Sequence, residues 1–189
     1  MSERSGRTPL SWAAGEGHAK VVMLLLGRGG IDPNKVDRGG RTPFSWAAWK
    51  GRDEVVKLLL GQEGVDPNAA DTDGRTPLLS AAKGGHEGVV KLLLGCQGVN
   101  PNVTEIAGGT PLSWAAWLMD DRVVKLLLER EDIAPNIQDH GQTPLAIASM
   151  CGDDGVVQLL LRCQKVNPTR PIVLAGHRSH GLSRVAMIE

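Results

Sequence analysis

Three kinds of side chain in this sequence have a spacing that could do chemistry. His177 and His180, in the run His-Arg-Ser-His, are separated as two imidazoles sharing a metal ion can be. No further ligand is fixed near them, so the ordinary reading is two solvated histidines. The acidic pairs Asp120-Asp121 and Asp153-Asp154 suggest acid–base work. Each pair stands just ahead of an apolar helical run, however, where the positive end of the next helix favours carboxylates. Cys151, before Gly152, is a candidate accessible thiol, but no motif places a base beside it, and a small packing residue is the plainer reading. The sequence contains no G-x-x-x-x-G-K-[ST] phosphate loop, G-x-S-x-G elbow or H-E-x-x-H helix. Catalysis has no support, and neither a cofactor nor a small-molecule substrate is expected. Binding remains.

The composition agrees with that choice. The 189 residues carry 21 basic and 21 acidic side chains and are 41% apolar, which suits one soluble globular domain. Zero net charge provides no overall field toward nucleic acid or anionic lipid. No apolar run approaches the roughly 18 to 20 residues of a membrane span, and residues Met1 to Gly6 lack the apolar core of a secretory signal. Cys96, Cys151 and Cys163 are odd in number and form no C-x-x-C pair, which fits a reducing compartment. The expectation is a cytoplasmic or nuclear protein that binds neither nucleic acid nor membrane.

What positions the chemistry is a repeat. Thr-Pro occurs at Thr8-Pro9, Thr42-Pro43, Thr76-Pro77, Thr110-Pro111 and Thr143-Pro144, at intervals of 34, 34, 34 and 33 residues. Pro-Asn recurs in phase at Pro33-Asn34, Pro67-Asn68, Pro101-Asn102 and Pro135-Asn136, and returns altered as Pro168-Thr169. A third mark is Val-Val-x-Leu-Leu-Leu, starting at Val21, Val55, Val89, Val123 and Val156. Within a unit, Thr caps a short helix whose first residue, Pro, gives up only a donor that would be orphaned anyway. The pairs Ala13-Ala14, Ala47-Ala48, Ala81-Ala82 and Ala115-Ala116 let neighbouring backbones approach, and Gly17, Gly51, Gly85 and Gly152 end the helix in a left-handed turn. The Val/Leu block is a second helix with one wide buried face, closed by Gly27, Gly61 or Gly95. Turn formers such as Asp66 to Gly74 then make an arm.

"GRTPLSWAA", the "GH" pairs and "VVKLLL", in register from about Gly6 to Thr169, resemble ankyrin repeats. The Ser-Trp after Thr-Pro-Leu and the Asp-Pro-Asn arm resemble the long ankyrin arrays of filamentous fungi. The implied fold is all-α: an ankyrin-like α-solenoid of helix-turn-helix units joined by β-hairpin arms. Residues 1–5 would be a leader, residues 6–169 five units starting near 6, 40, 74, 108 and 141, and residues 170–189 a divergent tail. The tail either improvises a cap with Ile172, Val173, Leu174, Val185, Met187 and Ile188, or the chain is a piece of a longer array, the preferred reading. Several departures from the pattern matter. The usual His after Thr-Pro-Leu is Ser11, Ser45, Leu79, Ser113 and Ala146, so a familiar inter-repeat network is expected to be rewired. Met119 replaces the turn glycine of the fourth unit, where positive φ would strain it, so that turn is expected to deform. The arm Asn136 to Gln142 is one residue short. By resemblance, His18 and His86 hydrogen-bond backbone and hold their turns.

The resemblance implies a non-catalytic protein-interaction module, monomeric, binding a protein partner in a concave groove built from arms and short helices. The alternatives are a regulatory or sensor array of a larger, possibly nucleotide-binding, signalling protein, and a structural or degenerate array without a partner. Residues that vary between units while the framework stays fixed are expected to face the groove: Arg38, Arg41, Trp49, Lys50, Thr72, Asp73, Arg75, Lys83, Trp117, Leu118, His140 and Met150. Trp12, Trp46 and Trp114 share a framework position and are read as packing between helices. Trp49 and Trp117 are either contact residues of the kind enriched in binding hot spots or stack on Trp46 and Trp114. Arg7, Arg41 and Arg75, with Arg38 and Lys50, are expected to form a basic edge for an acidic segment, and Lys57, Lys91 and Lys125 a solvated stripe on the opposite side.

Overall fold

A computed structural model describes residues 5–169. The histidine pair and the apolar residues of the tail fall outside that range. Among the described residues ten helices alternate short-helix and Val/Leu-helix roles: α1 (Pro9–Glu16), α2 (Ala19–Leu26), α3 (Pro43–Trp49), α4 (Asp53–Leu60), α5 (Pro77–Lys83), α6 (Glu87–Leu94), α7 (Pro111–Trp117), α8 (Asp121–Leu128), α9 (Pro144–Cys151) and α10 (Asp154–Arg162). Odd-numbered helices pack in series on one side and even-numbered helices on the other, so the core runs along the array rather than sitting at a centre. This is a helical solenoid.

Each odd helix starts as its Thr-Pro predicts. Thr8, Thr42, Thr76, Thr110 and Thr143 accept hydrogen bonds from the backbone N–H three residues on, in every case with Pro at the first position. The serines that replace the usual His bond within their own unit: the Ser45 and Thr42 hydroxyls are 3.0 Å apart, and the Ser113 hydroxyl accepts from the Thr110 N–H at 2.8 Å. The expected rewiring is therefore mostly local, with the Ser113 hydroxyl also reaching Asp139 Oδ2 of the next arm at 3.4 Å. The alanine pairs are buried, as are Phe44, Leu78 and Leu112 just ahead of them. In the even helices Val55, Val56 and Leu59, and their equivalents in α6 and α8, are wholly inaccessible. Lys57, Lys91 and Lys125 lie exposed on the same helices.

The structure departs from expectation at the Met119 turn and in the arms. Met119 does not deform its turn: it adopts φ 58°, beside 65° at Gly51 and 66° at Gly85. The Asp120 N–H reaches the Ala115 carbonyl at 3.0 Å, as the Arg52 N–H reaches Ala47 at 2.9 Å. Gly27, Gly61 and Gly95 close their helices as expected, in a right-handed conformation that Glu129 adopts equally well at the end of α8. The arms are not β-hairpins in the strict sense. Among the described residues there is no strand, only an isolated bridge between Asp139 and Gln142. In the earlier arms a five-residue turn closes from the Asp71 N–H to the Arg75 carbonyl at 3.0 Å, and successive arms are linked by single bonds such as Thr72 N–H to the Gly39 carbonyl at 2.9 Å.

The Pro-Asn marks have a task that periodicity alone did not reveal. The Asn68 amide donates to the Gly98 carbonyl of the next unit at 2.9 Å and its oxygen accepts from the Asn100 N–H at 3.3 Å. Asn102 does the same with Asp132 and Ala134, both at 2.8 Å, and Asn136 with Lys165 at 2.6 Å and Asn167 at 2.8 Å. Each carboxamide thus staples one unit to the next through backbone groups.

Candidate functional site

The site begins with four carboxylates that the sequence reading passed over. Asp37, Asp71, Glu105 and Asp139 hold the same place in successive arms, 34 residues apart. The Asp71 and Glu105 side chains are nearly sealed, at 3% and 2% exposure. In the first two arms the acid has two tasks. Oδ1 of Asp37 accepts from the Gly39 and Arg41 N–H groups, and Oδ1 of Asp71 from those of Asp73 and Arg75, which shapes the turn. The other oxygen faces the short helices: Trp46 Nε1 donates to Asp37 Oδ2 at 2.9 Å, and Trp114 Nε1 to Glu105 Oε1 at 2.7 Å. These indole bonds tie arm to helix and leave a trough between them.

The trough's cations are supplied one unit earlier. Arg41 Nε lies 3.3 Å from Asp71 Oδ2, and Arg75 Nε lies 2.6 Å from Glu105 Oε2. Arg75 also meets Asp73 at 2.9 Å, and Lys83 Nζ meets Glu105 at 3.6 Å. Burial by itself would lower the Arg75 pKa, but the bond and charge of Glu105 outweigh it and hold Arg75 above the ordinary arginine range. Burial wins at Lys83, which sits below the usual lysine value although Glu105 opposes the shift. The basic edge expected from the arginine column is thus largely neutralised, because each partner acid lies 30 residues downstream in the next arm.

Aromatic faces complete the surface. The Arg7 guanidinium is sandwiched, 3.6 Å from the Trp12 ring centre and 3.7 Å from Trp46, and Nη2 donates to the Ser11 carbonyl at 2.8 Å. Arg41 lies 5.1 and 5.3 Å from the Trp46 and Trp49 centres, Lys50 4.4 Å from Trp49, and Lys83 3.7 Å from Trp114. Contrary to expectation, the framework tryptophans are therefore not sealed between helices. Trp12 is 40% exposed, and Trp46 and Trp114 line the trough half-buried. Trp49 and Trp117 meet them edge-on at 5.2 and 5.8 Å, yet each stays 40% exposed. Stacking and accessibility coexist.

Of the expected groove residues, Arg41, Trp49, Arg75 and Lys83 converge with Asp71, Ser45 and Ser80 on one cleft of about 200 Å³. Lys50 lies at its edge over Trp49. Arg38 is exposed at its arm tip, and Thr72 and Asp73 are occupied within the arms, Thr72 by the Gly39 carbonyl and Asp73 by Arg75. Trp117, Leu118, Met150 and His140 are exposed further along the array and do not line that cleft. His86 Nε2 contacts the Trp49 carbonyl of the preceding unit at 2.8 Å, as Arg52 Nε does the Gly15 carbonyl at 3.0 Å. Its role is inter-repeat rather than confined to its own turn.

Among the described residues, no helix is long and apolar enough to cross a membrane. Comparison with curated proteins finds no match to the chain. A family profile described as "Ankyrin repeats (3 copies)" matches residues 1–71, 54–139 and 97–171. Ankyrin repeats are in general non-catalytic, protein-binding modules. With its stacked helix pairs, threonine-capped short helices and a profile match over most of its length, the chain belongs to the ankyrin-repeat family.

Proposed function

We propose that the chain is a non-catalytic interaction module that takes an extended segment of a protein partner along the trough between arms and short helices. The observation carrying this reading is the state of Trp49 and Trp117. Large aromatic side chains held at 40% exposure, each braced edge-on by a framework tryptophan, provide rigid contact area whose burial needs little further ordering. Arg41, Arg75 and Lys83 line the trough as members of ion pairs, so their charge orients a partner more than it attracts one. Lys50 and Arg38 add exposed charge at one end, and Leu118, Met150 and His140 exposed surface at the other. The reading is of a monomer; three cysteines without a C-x-x-C pair support a cytoplasmic or nuclear address, and the Thr-Pro-Leu-Ser-Trp and Asp-Pro-Asn forms support placement among fungal-type long arrays.

The test is capture of a partner by the intact chain and by the Trp49→Ala, Trp117→Ala double variant. Loss of capture is expected. Each edge-on contact contributes about 0.5–1.5 kcal/mol beyond area, so loss of both should lower the melting temperature by about 2–12 °C while leaving the chain folded. A double variant that melts far lower yet still captures would assign both tryptophans to packing and remove the proposal.

A further inference from the structure

Two corners of the trough are built from the same residues, two units apart. In the second unit Trp46 and Trp49 meet edge-on at 68°, Asp71 reaches in from the next arm, and Arg41 fills the corner with its Nε on Asp71 Oδ2. Sixty-eight residues downstream the walls recur as Trp114, Trp117, edge-on at 77°, and Asp139. The position of Arg41 is Gly109. No side chain projects from it, and the Trp114 indole edge, at Nε1, lies where even a Cβ would stand.

The acid of this corner is left poorly served. Among the described residues, Asp139 Oδ1 is buried without a hydrogen bond, and Oδ2 has only the Ser113 hydroxyl at 3.4 Å. The short arm explains the first deficit. With one residue missing, Asp139 and Gln142 close the turn through their own backbone at 2.8 Å, with His140 and Gly141 at φ 48° and 81°, and Oδ1 loses the N–H groups that it serves elsewhere. Gly109 explains the second. His140 Nε2 lies 3.7 Å away and balances the charge only when protonated, while Lys83, over the Trp114 ring at 3.7 Å, acts on Asp139 through its charge but pairs with Glu105 and makes no hydrogen bond to Asp139. Trp49 carries Arg41 and Lys50 over its ring; among the described residues no cation lies over Trp117.

We infer that the corner formed by Trp114, Trp117 and Asp139 receives an arginine side chain of the bound polypeptide, its guanidinium on Asp139 Oδ2 and against the Trp117 face. The molecule supplies the precedent for that chemistry in Arg41. A planar fork that pairs with a carboxylate while lying against indole is arginine's particular capacity, and lysine reproduces only its charge. The inference rests on the proposal that the trough binds a protein segment.

The experiment pans a display library of random linear peptides against the immobilised full chain. Recovered peptides should share an arginine at one fixed position. Its replacement by Ala in the peptide, Asp139→Asn in the protein, and Gly109→Arg, which supplies a competing internal guanidinium, should each weaken binding about tenfold or more. Gly109→Arg obliges Trp114 to swing aside, so a thermal melt accompanies it; Asp139→Asn, of equal shape, carries the conclusion if that variant does not fold. Peptides that bind Asp139→Asn undiminished overturn the inference. If those peptides still depend on Trp49 and Trp117, the trough proposal survives alone; if they depend on neither, or none is recovered, both fall.

Discussion

At the scale of single residues, Met119 holds a left-handed turn at φ 58° where three other units and the last short helix use glycine. The hydrogen bonds of the turn are intact, so the cost is confined to Cβ crowding, and at 47% exposure the side chain recovers little by burial. Met119→Gly should therefore stabilise the chain by about 0.5–1 kcal/mol, read as a higher urea midpoint at unchanged slope. Asp139 provides a second case. Burial raises its pKa, an effect that His140 and Ser113 only partly offset. A carboxyl more basic in the folded than in the unfolded chain contributes stability that is complete below the unfolded value, about 3.9, and is lost as pH rises through the folded value. Asp139→Asn, neutral throughout, should match the parent in acid and exceed it in melting temperature toward neutral pH, the gap widening as pH rises and then levelling. Little of this was legible in sequence. The arginine column was visible because like residues recur in register, but its neutralisation was not, since each partner acid lies 30 residues downstream. The framework tryptophans were assigned to the interior because they recur with the alanine pairs; their indole bonds to Asp37 and Glu105 set them instead at the trough.

At the scale of elements, the helices are seven to nine residues long, below the roughly 12–15 at which isolated helices become even marginal in water. Their stability comes from caps and neighbours. The caps were readable because capping is local: Thr-Pro at one end, and Asp120 and Asp153 ahead of α8 and α10, where they accept from Val123 and Val156 N–H. The joins between units were not, because the second partner of each is a backbone group with no sequence signature. Asn102→Ala removes two inter-unit bonds at once, to Asp132 and Ala134. It should destabilise by about 1–2 kcal/mol, measured by urea unfolding, although Asn102 is only a turn residue.

At the scale of the whole molecule, burial grades along the array. Val21 and Leu24 of α2 are 44% and 73% exposed, whereas Val55 and Val89, which have a unit on either side, are wholly inaccessible. In a stack whose units contact only their neighbours, stability is a sum over interfaces, and the outer units open first. Amide exchange should accordingly be slowest in α5 and α6 and fastest in α2, by at least about tenfold; uniform protection would mean that the stack opens all at once. The period itself was fully legible, since a linear array writes its architecture into the sequence once per unit.

The asparagine staples grip main-chain carbonyls and amides, groups that every unit presents whatever its side chains. Cohesion is thereby separated from the trough, where side-chain identity matters. A copy can be duplicated or excised in frame between two Pro-Asn dipeptides and the new seam still closes, so the length of the array and the chemistry of its receptacles are free to evolve by different routes.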